Sequence, residues 1–430
     1  MEINEMVMVS VDDHVVEPPH LFEGRLPAKY AELAPTFITN DDGTNAWFYE
    51  GQVLPNVALN AVAGRPPEEY GIEPTAFSQL RPGCYDIDER VKDMDAGGVL
   101  ASMNFPSFPT FTARVFASED ADLSLALVRA YNDWHIDEWC GTHPGRFIPC
   151  PIPAIWDPEV MAEEVRRTAA KGAHAVTFSE NPSKLGWPSI HSDHWDPVWK
   201  VCSELGVVVC MHIGSSSALV ITSDDAPMDC LITLTPMNIV QAGADLVWSQ
   251  TLRKFPDLKV ALSEGGIGWV PYFLERIDYN YGRHHLWTGQ DFGDTKPSEV
   301  FNRNILTCFI DDHFGVASRG FLEMDNVMWE CDYPHSDSTW PTSPETLAAN
   351  LYGMTDHDLD RVTHLNAMRH FNYDPFTALG GREQCTVGAL RARAVGHDIS
   401  IKSQAREGIA SLGTKASDLA SIGSSSDSSD

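Results

Sequence analysis

AHAVTFSENPSKLGWPSIHSDHWDPVWKVCSELGVVVCMHI, residues 173–213, contains one complete unit of the architecture. Two apolar runs, AHAVTFSE (173–180) and GVVVCMHI (206–213), flank WDPVWKVCSELG (195–206), which has helical spacing and closes on a glycine. Neither run alternates between apolar and polar residues, so each reads as a strand covered on both faces. Strand, helix and strand in succession form a βα unit with parallel strands. Both strands end on a side chain that can hold a metal, Glu180 and His212.

The same grammar extends in both directions. VMVSVDD (7–13), VLASMNF (99–105), RFIPCPI (146–152), LKVALSE (258–264), NILTCFI (304–310) and NVMWECD (326–332) are further strand candidates. DIDERVKDMDAGG (86–98), SEDADLSLALVRAYNDWHIDEWC (118–140) and DPEVMAEEVRRTAAKG (157–172) read as helices between them. Eight strands alternating with helices predict a (β/α)8 TIM barrel. An open doubly wound sheet is the alternative, but no GxGxxG follows the first strand. The barrel is expected within residues 1–385. An insertion at 15–85, rich in Pro, Gly and aromatic residues, reads as a lid or subdomain. Residues 386–430 read as a C-terminal arm packing on another subunit, with SIGSSSDSSD a disordered tip.

Strand ends concentrate potential ligands: Asp12 and His14, Glu180, His212, Glu264 and Asp332. The intervals of 32, 52 and 68 residues from Glu180 through His212 and Glu264 to Asp332 fit one or two units of about 30 residues each. Such ends gather at the C-terminal mouth of a barrel, where active sites lie. Asp12 and His14 share one side of their strand by the two-residue period, and Asp13 faces the other way. Glu264 precedes Gly265-Gly266 and would be costly to bury without a partner or a metal. Asp332, in CDYPHSD, can bind a metal and exchange a proton with water, and His335 stands three residues on as a substrate-facing group. The expected metal ligands are therefore Asp12, His14, Glu180, His212, Glu264 and Asp332, with Asp332, Glu264 and His335 carrying the chemistry. His313 could also reach the mouth, whereas His174 starts its strand at the opposite end.

The chain has 430 residues, 43% hydrophobic and 10% aromatic, ample for a large core. Its net charge of −31 disfavours nucleic acid and anionic membranes as partners. Nine cysteines without a CxxC pair suggest a reducing cytoplasm. The N-terminus lacks a signal-peptide pattern, and no apolar run is expected to approach the roughly 20 residues of a membrane span. No GxSxG or P-loop occurs, which leaves serine-hydrolase and nucleotide chemistry unsupported. Trp47, Phe48, Tyr49, Phe77, Phe105, Phe108 and Phe111 suit either a bulky apolar substrate or lid packing.

With these strand-end residues, and with TFSENPSKLGWPSIHSDHWDP, SEGGIGWVPYFLERID and WECDYPHSDSTWP, the chain resembles the amidohydrolase-related family. The resemblance is to its aminocarboxymuconate-semialdehyde decarboxylase-like branch and covers roughly residues 7–375. It implies ligands from strands one, five and eight, here Asp12, His14, His212 and Asp332. Two departures stand out. The first motif is commonly His-x-His or Glu-x-His, against Asp12-x-His14 here. Strand six usually ends in a histidine, often catalytic in the family's decarboxylases, and here it ends in Glu264. In dinuclear relatives a strand-four group bridges the metals, the place of Glu180. The subgroup is similar to nonheme diiron monooxygenases of diterpenoid pathways. That similarity implies two irons (with zinc or manganese as alternatives), O2 as cosubstrate, a hydrophobic carboxylate or CoA-linked acyl thioester as substrate, and a homodimer. Oxygen-rich ligand sets with some imidazole suit iron or manganese. Three activities follow as expectations: dinuclear monooxygenation first, then hydrolysis of an amide, ester or thioester by a metal-activated hydroxide, then non-oxidative decarboxylation.

Overall fold

Val, Ile, Leu and small residues in continuous runs build eight parallel strands, each buried on both faces. A computed structural model describes residues 1–55, 58–71, 73–108, 110–404 and 413–416. In chain order the strands are β1 (Val9–Val15), β2 (Thr36–Thr39), β3 (Asn45–Tyr49), β4 (Gln52–Leu54), β5 (Ala101–Pro106), β6 (Phe147–Ile148), β7 (Ala175–Ser179), β8 (Val208–His212), β9 (Val260–Ser263), β10 (Ile305–Phe309) and β11 (Val327–Trp329). β1, β5 and β6 form one parallel ladder, and β7 to β11 form a second in sequence order. Two seams join them. Thr177 N–H donates to Pro151 O (2.9 Å), and Asp332 N–H donates to Asp12 O (2.8 Å). The result is the expected (β/α)8 barrel. Small side chains such as Ala175, Cys210, Ala261 and Cys308 help fill its interior.

The register sets the height of the mouth. His212 lies level with Ser179 on one side and Ser263 on the other, so Glu180 and Glu264 emerge one residue above it. His14 lies level with Phe105. All nine cysteines are free.

The helices form where their caps predict. Asp86, Asp120 and Asp157 accept the first-turn N–H groups of Ile87–Gly97, Ala121–Asp133 and Pro158–Ala169. The segment expected as one helix to 140 instead passes into a π-helical turn at Trp134–Cys140. Asp196–Leu205 ends on Gly206 in the left-handed region (φ 65°). The expectation of no long apolar segment needs correcting. Met228–Trp248, 21 residues with mean hydropathy 1.3, is long and apolar enough to cross a membrane by length and composition. It is two helices, Met228–Leu234 and Met237–Trp248, and the second buries Ile239, Ala242, Leu246 and Val247 against the barrel.

The insertion packs on the barrel in one continuous apolar cluster. β2, β3 and β4 pair antiparallel, and Trp47 stacks on Phe108 at 4.3 Å with Phe22 and Phe37 against its edges. Phe77 packs on Phe37, while Phe48 is exposed. The arm makes contacts within its own chain: Val387 N–H donates to Met6 O, Lys402 N–H to Gly64 O and Gln404 N–H to Glu69. Residues 413–416 bridge to Pro227 and Ala226. The expected disordered tip lies outside the described residues.

Candidate metal centre

The ends of β1, β8, β9 and β11 converge on one buried cluster. β1 carries a register irregularity between Ser10 and Asp13. There Ser10 Oγ donates to Asp13 Oδ1 (2.9 Å), and Tyr333 N–H donates to the same oxygen (3.1 Å). Asp13 is thereby turned away from the mouth, as the two-residue period predicts, and Asp12 and His14 face into it. The fully buried Arg90 fixes this end of the strand, donating to His14 O (2.5 Å) beneath the Tyr333 ring.

Distances within the cluster are short. His14 Nε2 lies 3.1 Å from His212 Nε2, 3.6 Å from Asp12 and 3.3 Å from Asp332. His212 Nε2 lies 3.4 Å from Asp12 and 3.3 Å from Glu264. His335 Nδ1 lies 2.9 Å from Asp332 and 4.0 Å from Glu264, and its ring stacks on His14 at 3.7 Å. Two overlapping sets, Asp12–His14–His212 and His14–Asp332–His335, each place three ligand atoms within 4.8 Å of one another. The Nδ1 of His212 sits 2.6 Å from Ile213 O. Donation to that carbonyl leaves its Nε2 lone pair facing the cluster, the usual arrangement for a ligating imidazole. Phe111 stacks on His212 at 4.5 Å, and Phe105 lies at 5.1 Å. These two members of the aromatic set wall the site, whereas Trp47, Phe77 and Phe108 belong to the apolar cluster of the insertion.

The electrostatics of the cluster favour a bound cation. Both oxygens of the fully buried Asp12 accept no hydrogen bond. Burial, then Glu330, Glu264 and Asp332, push its carboxyl well above the ordinary range. Asp332 is raised in the same way by burial and Glu264. Burial also pushes Glu264 up, but His212 and His335 more than offset it and hold this carboxyl below its ordinary value. His14 and His212 are held neutral by burial first. A buried carboxylate without donors is costly, and a divalent ion bound by oxygen and neutral imidazole relieves it. The residues therefore fit a metal.

Strain marks the same place. Glu264 (φ 61°) and Asp332 (φ 60°) both occupy the left-handed region, which non-glycine residues rarely adopt. Such conformations persist where surrounding structure imposes them, commonly at functional sites.

The structure gathers Asp12, His14, His212, Glu264, Asp332 and His335, but it places Glu180 elsewhere. Ser215 Oγ and Ser216 Oγ donate to the Glu180 carboxylate, the latter at 2.7 Å, and Asn238 approaches at 3.5 Å. Its oxygens are satisfied by hydroxyls, and Glu180 belongs to neither three-ligand set. His313 is exposed beside Asp311, and His174 lies at the bottom against Asn372. Sequence reading missed Glu330. This residue is fully buried, raised to about 8 by burial, with one oxygen accepting from Glu264 N–H (3.3 Å) and the other unpartnered. The signal was present, because in WECD Glu330 lies two residues before Asp332 and so on its side of the strand.

A parallel barrel with a buried carboxylate–imidazole cluster at its C-terminal mouth is the architecture of an enzyme of the amidohydrolase superfamily. The family model described as Amidohydrolase matches residues 37–372, and the chain belongs to that family. The gamma-resorcylate decarboxylase of Rhodococcus jostii (strain RHA1) is 24% identical over 301 residues, 64% of this chain and 84% of the relative. An amidohydrolase from Mycobacterium avium subsp. paratuberculosis K-10 superposes with TM-score 0.68 at 21% identity, covering 86% of this chain and 98% of that one. The dihydroxybenzoic acid decarboxylase of Polaromonas sp. JS666, with bound manganese and 2-nitroresorcinol, superposes with TM-score 0.57 at 17% identity, covering 85% and 97%.

Proposed function

We propose that the protein is a divalent-metal-dependent decarboxylase that removes CO2 from an aromatic carboxylic acid without oxidation. The observation that carries this reading is the Asp12–His14–His212 set in a chain related over most of its length to a gamma-resorcylate decarboxylase. This replaces monooxygenation as the leading activity, because the relatives' names concern decarboxylation and one of them holds manganese.

Asp12, His14 and His212 would hold the ion, which when bound supplies a Lewis acid for the substrate's carboxylate. Phe105 and Phe111 give the site an apolar wall that excludes water and takes an aromatic ring. His335 and Asp332, 2.9 Å apart, share a proton that one of them delivers to the ring carbon as its bond to CO2 breaks. Glu264, beside both His212 and His335, stands where the resemblance places a catalytic histidine and would orient these two rings.

One observation favours a second reading. His14 serves both three-ligand sets, and Glu264 lies between His212 and His335, so two cations could share the cluster. A dinuclear iron centre would suit the oxidation of a hydrophobic carboxylate or acyl thioester with O2. Metal content of protein purified without added metal, with CO2 release from dihydroxybenzoates and 5-carboxyvanillate under anaerobic conditions, decides between them. One manganese or zinc per chain with O2-independent release supports decarboxylation. Two irons per chain with substrate-dependent O2 uptake overturns it.

A further inference from the structure

Tyr333, Pro334 and His335 follow Asp332 directly, and different parts of the chain hold them. His14 N–H donates to Tyr333 O (2.7 Å), and the N–H groups of Val62 and Ala63 both donate to Pro334 O (2.9 Å each). Asn60 Nδ2 donates to Ser336 Oγ at 3.2 Å. The His335 ring itself has few anchors. Its Nδ1 lies on Asp332, its face stacks on His14, and its buried Nε2 has no hydrogen-bond partner among the described residues. The position of this ring therefore depends on the backbone that carries it.

The Tyr333 hydroxyl donates to Asp93 Oδ2 (2.7 Å), and Asp93 centres a network outside the metal cluster. Its carboxylate is 1% exposed and has a donor for each of its roughly four lone-pair sites. Arg81 donates to both oxygens, from Nε to Oδ2 (2.8 Å) and from Nη2 to Oδ1 (2.6 Å), with its guanidinium 4.5 Å over the Trp340 ring. The remaining donor comes from the far end of the chain, where His397 Nε2 lies 2.6 Å from Oδ1. An ionised carboxylate only accepts, so this ring nitrogen carries the proton. Gly83 leaves the space in which these groups meet: a Cβ there would lie 2.2 Å from Asp93 Oδ2 and 2.8 Å from the Tyr333 hydroxyl.

The arm that supplies His397 also grips the second support of the loop. Arg81 Nη2 donates to Asp398 O (2.5 Å). Lys402 N–H donates to Gly64 O (2.8 Å), the residue after Val62 and Ala63. Ser403 Oγ and Gln404 N–H donate to the Glu69 carboxylate, the latter at 2.7 Å. Residues 397–404 thus join Asp93 on one side of the 333–336 loop to residues 62–64 on the other. They lie beyond residue 372, where the match to the family model ends.

We propose that residues 397–404 are a strap that fixes the 333–336 loop, with His397 and Asp93 as positioning residues for His335. This assignment rests on the reading of His335 as a proton carrier in decarboxylation. A proton donor must stand within hydrogen-bond reach of the atom it protonates, and a misplacement of about 1 Å costs on the order of a hundredfold in rate. Loosening the strap shifts the ring, while Asp12, His14 and His212 keep the ion.

His397→Ala tests this with two readouts on metal-loaded protein. In hydrogen-exchange mass spectrometry, the backbone amides of residues 60–66 and 333–338 should exchange at least about fivefold faster than in wild type. In CO2 release from dihydroxybenzoates, kcat should fall about tenfold, with KM within about twofold and metal content unchanged. His397→Gln, whose amide can donate to the same Asp93 oxygen, should restore both. Faster exchange in a protein that decarboxylates none of these acids would support the strap and count against the decarboxylase reading alone. Unchanged exchange in His397→Ala, an unchanged kcat in an active enzyme, an effect confined to KM or metal content, or no rescue by glutamine would each overturn the proposal.

Discussion

Two glutamates stand in the same local setting and have opposite fates. Glu180 ends TFSE after β7, Glu264 ends ALSE after β9, and each is the first residue beyond its strand. The loop after β8 supplies Ser215 and Ser216 to Glu180, so that side of the mouth has its carboxylate fully engaged. Glu264 finds His212 and His335 instead, on a left-handed backbone beside the unsatisfied Asp12. Two carboxylates at matching strand ends thus differ in what surrounds them, hydroxyls for Glu180 and imidazoles for Glu264.

The largest expected effect breaks the comparison if it fails. Glu264→Gln and Asp332→Asn should each lower turnover by about a thousandfold or more and reduce bound metal, measured by metal analysis beside kcat. Full metal content and turnover in Glu264→Gln would place Glu264 with Glu180 as a structural group.

A pH titration sharpens the contrast from the engaged side. His135 and His364, both buried away from the cluster, are lowered from 6.5 to about 4 by burial. His135 Nε2 accepts from Cys150 N–H at 3.2 Å, a bond that needs the neutral ring. Between these pH values the folded state binds fewer protons than the unfolded chain. Their stabilisation is therefore complete above pH 6.5 and is lost as pH falls toward 4. At pH 5.5 the pair should cost about 3 kcal/mol relative to pH 8. Denaturant unfolding of wild type and His135→Gln at both pH values checks it: the variant should lose about 1.4 kcal/mol less than wild type between pH 8 and pH 5.5.

Glu180→Ala gives the smallest of these effects. Removing a carboxylate that accepts two hydroxyl donors should destabilise the protein by about 2 kcal/mol and leave metal content unchanged. A fall from two ions per chain to one would instead make Glu180 a ligand.

Much of this was legible beforehand. All eight barrel strands overlap their predicted runs, with only β1 and β5 extending beyond them, by two residues and one, because burial on both faces writes itself as continuous apolar sequence. Asp86, Asp120 and Asp157 announced three helix starts, because a cap is a local interaction. Asp12, His14, His212, Glu264 and Asp332 lie together, and the surroundings of Glu180 were not legible for a non-local reason: the hydroxyls that bond it come from a loop 35 residues on. Glu330 was overlooked between Trp329 and Cys331, where an apolar setting concealed an inward-facing acid. The arm's contacts within its own chain were not legible because their partners, Met6, Gly64 and Glu69, lie more than 300 residues earlier.

The seam between β1 and β11 has a consequence for biogenesis. Tyr333 N–H reaches Asp13 across 320 residues of chain, and the flanking Asp12, His14, Asp332 and His335 make up much of the cradle proposed for the ion. During synthesis the first half of that cradle waits for nearly the whole barrel to be translated, and such distant contacts are slow to form. The cradle is then the last part of the barrel to be completed, so capacity to take up metal reports that the strand circle has closed.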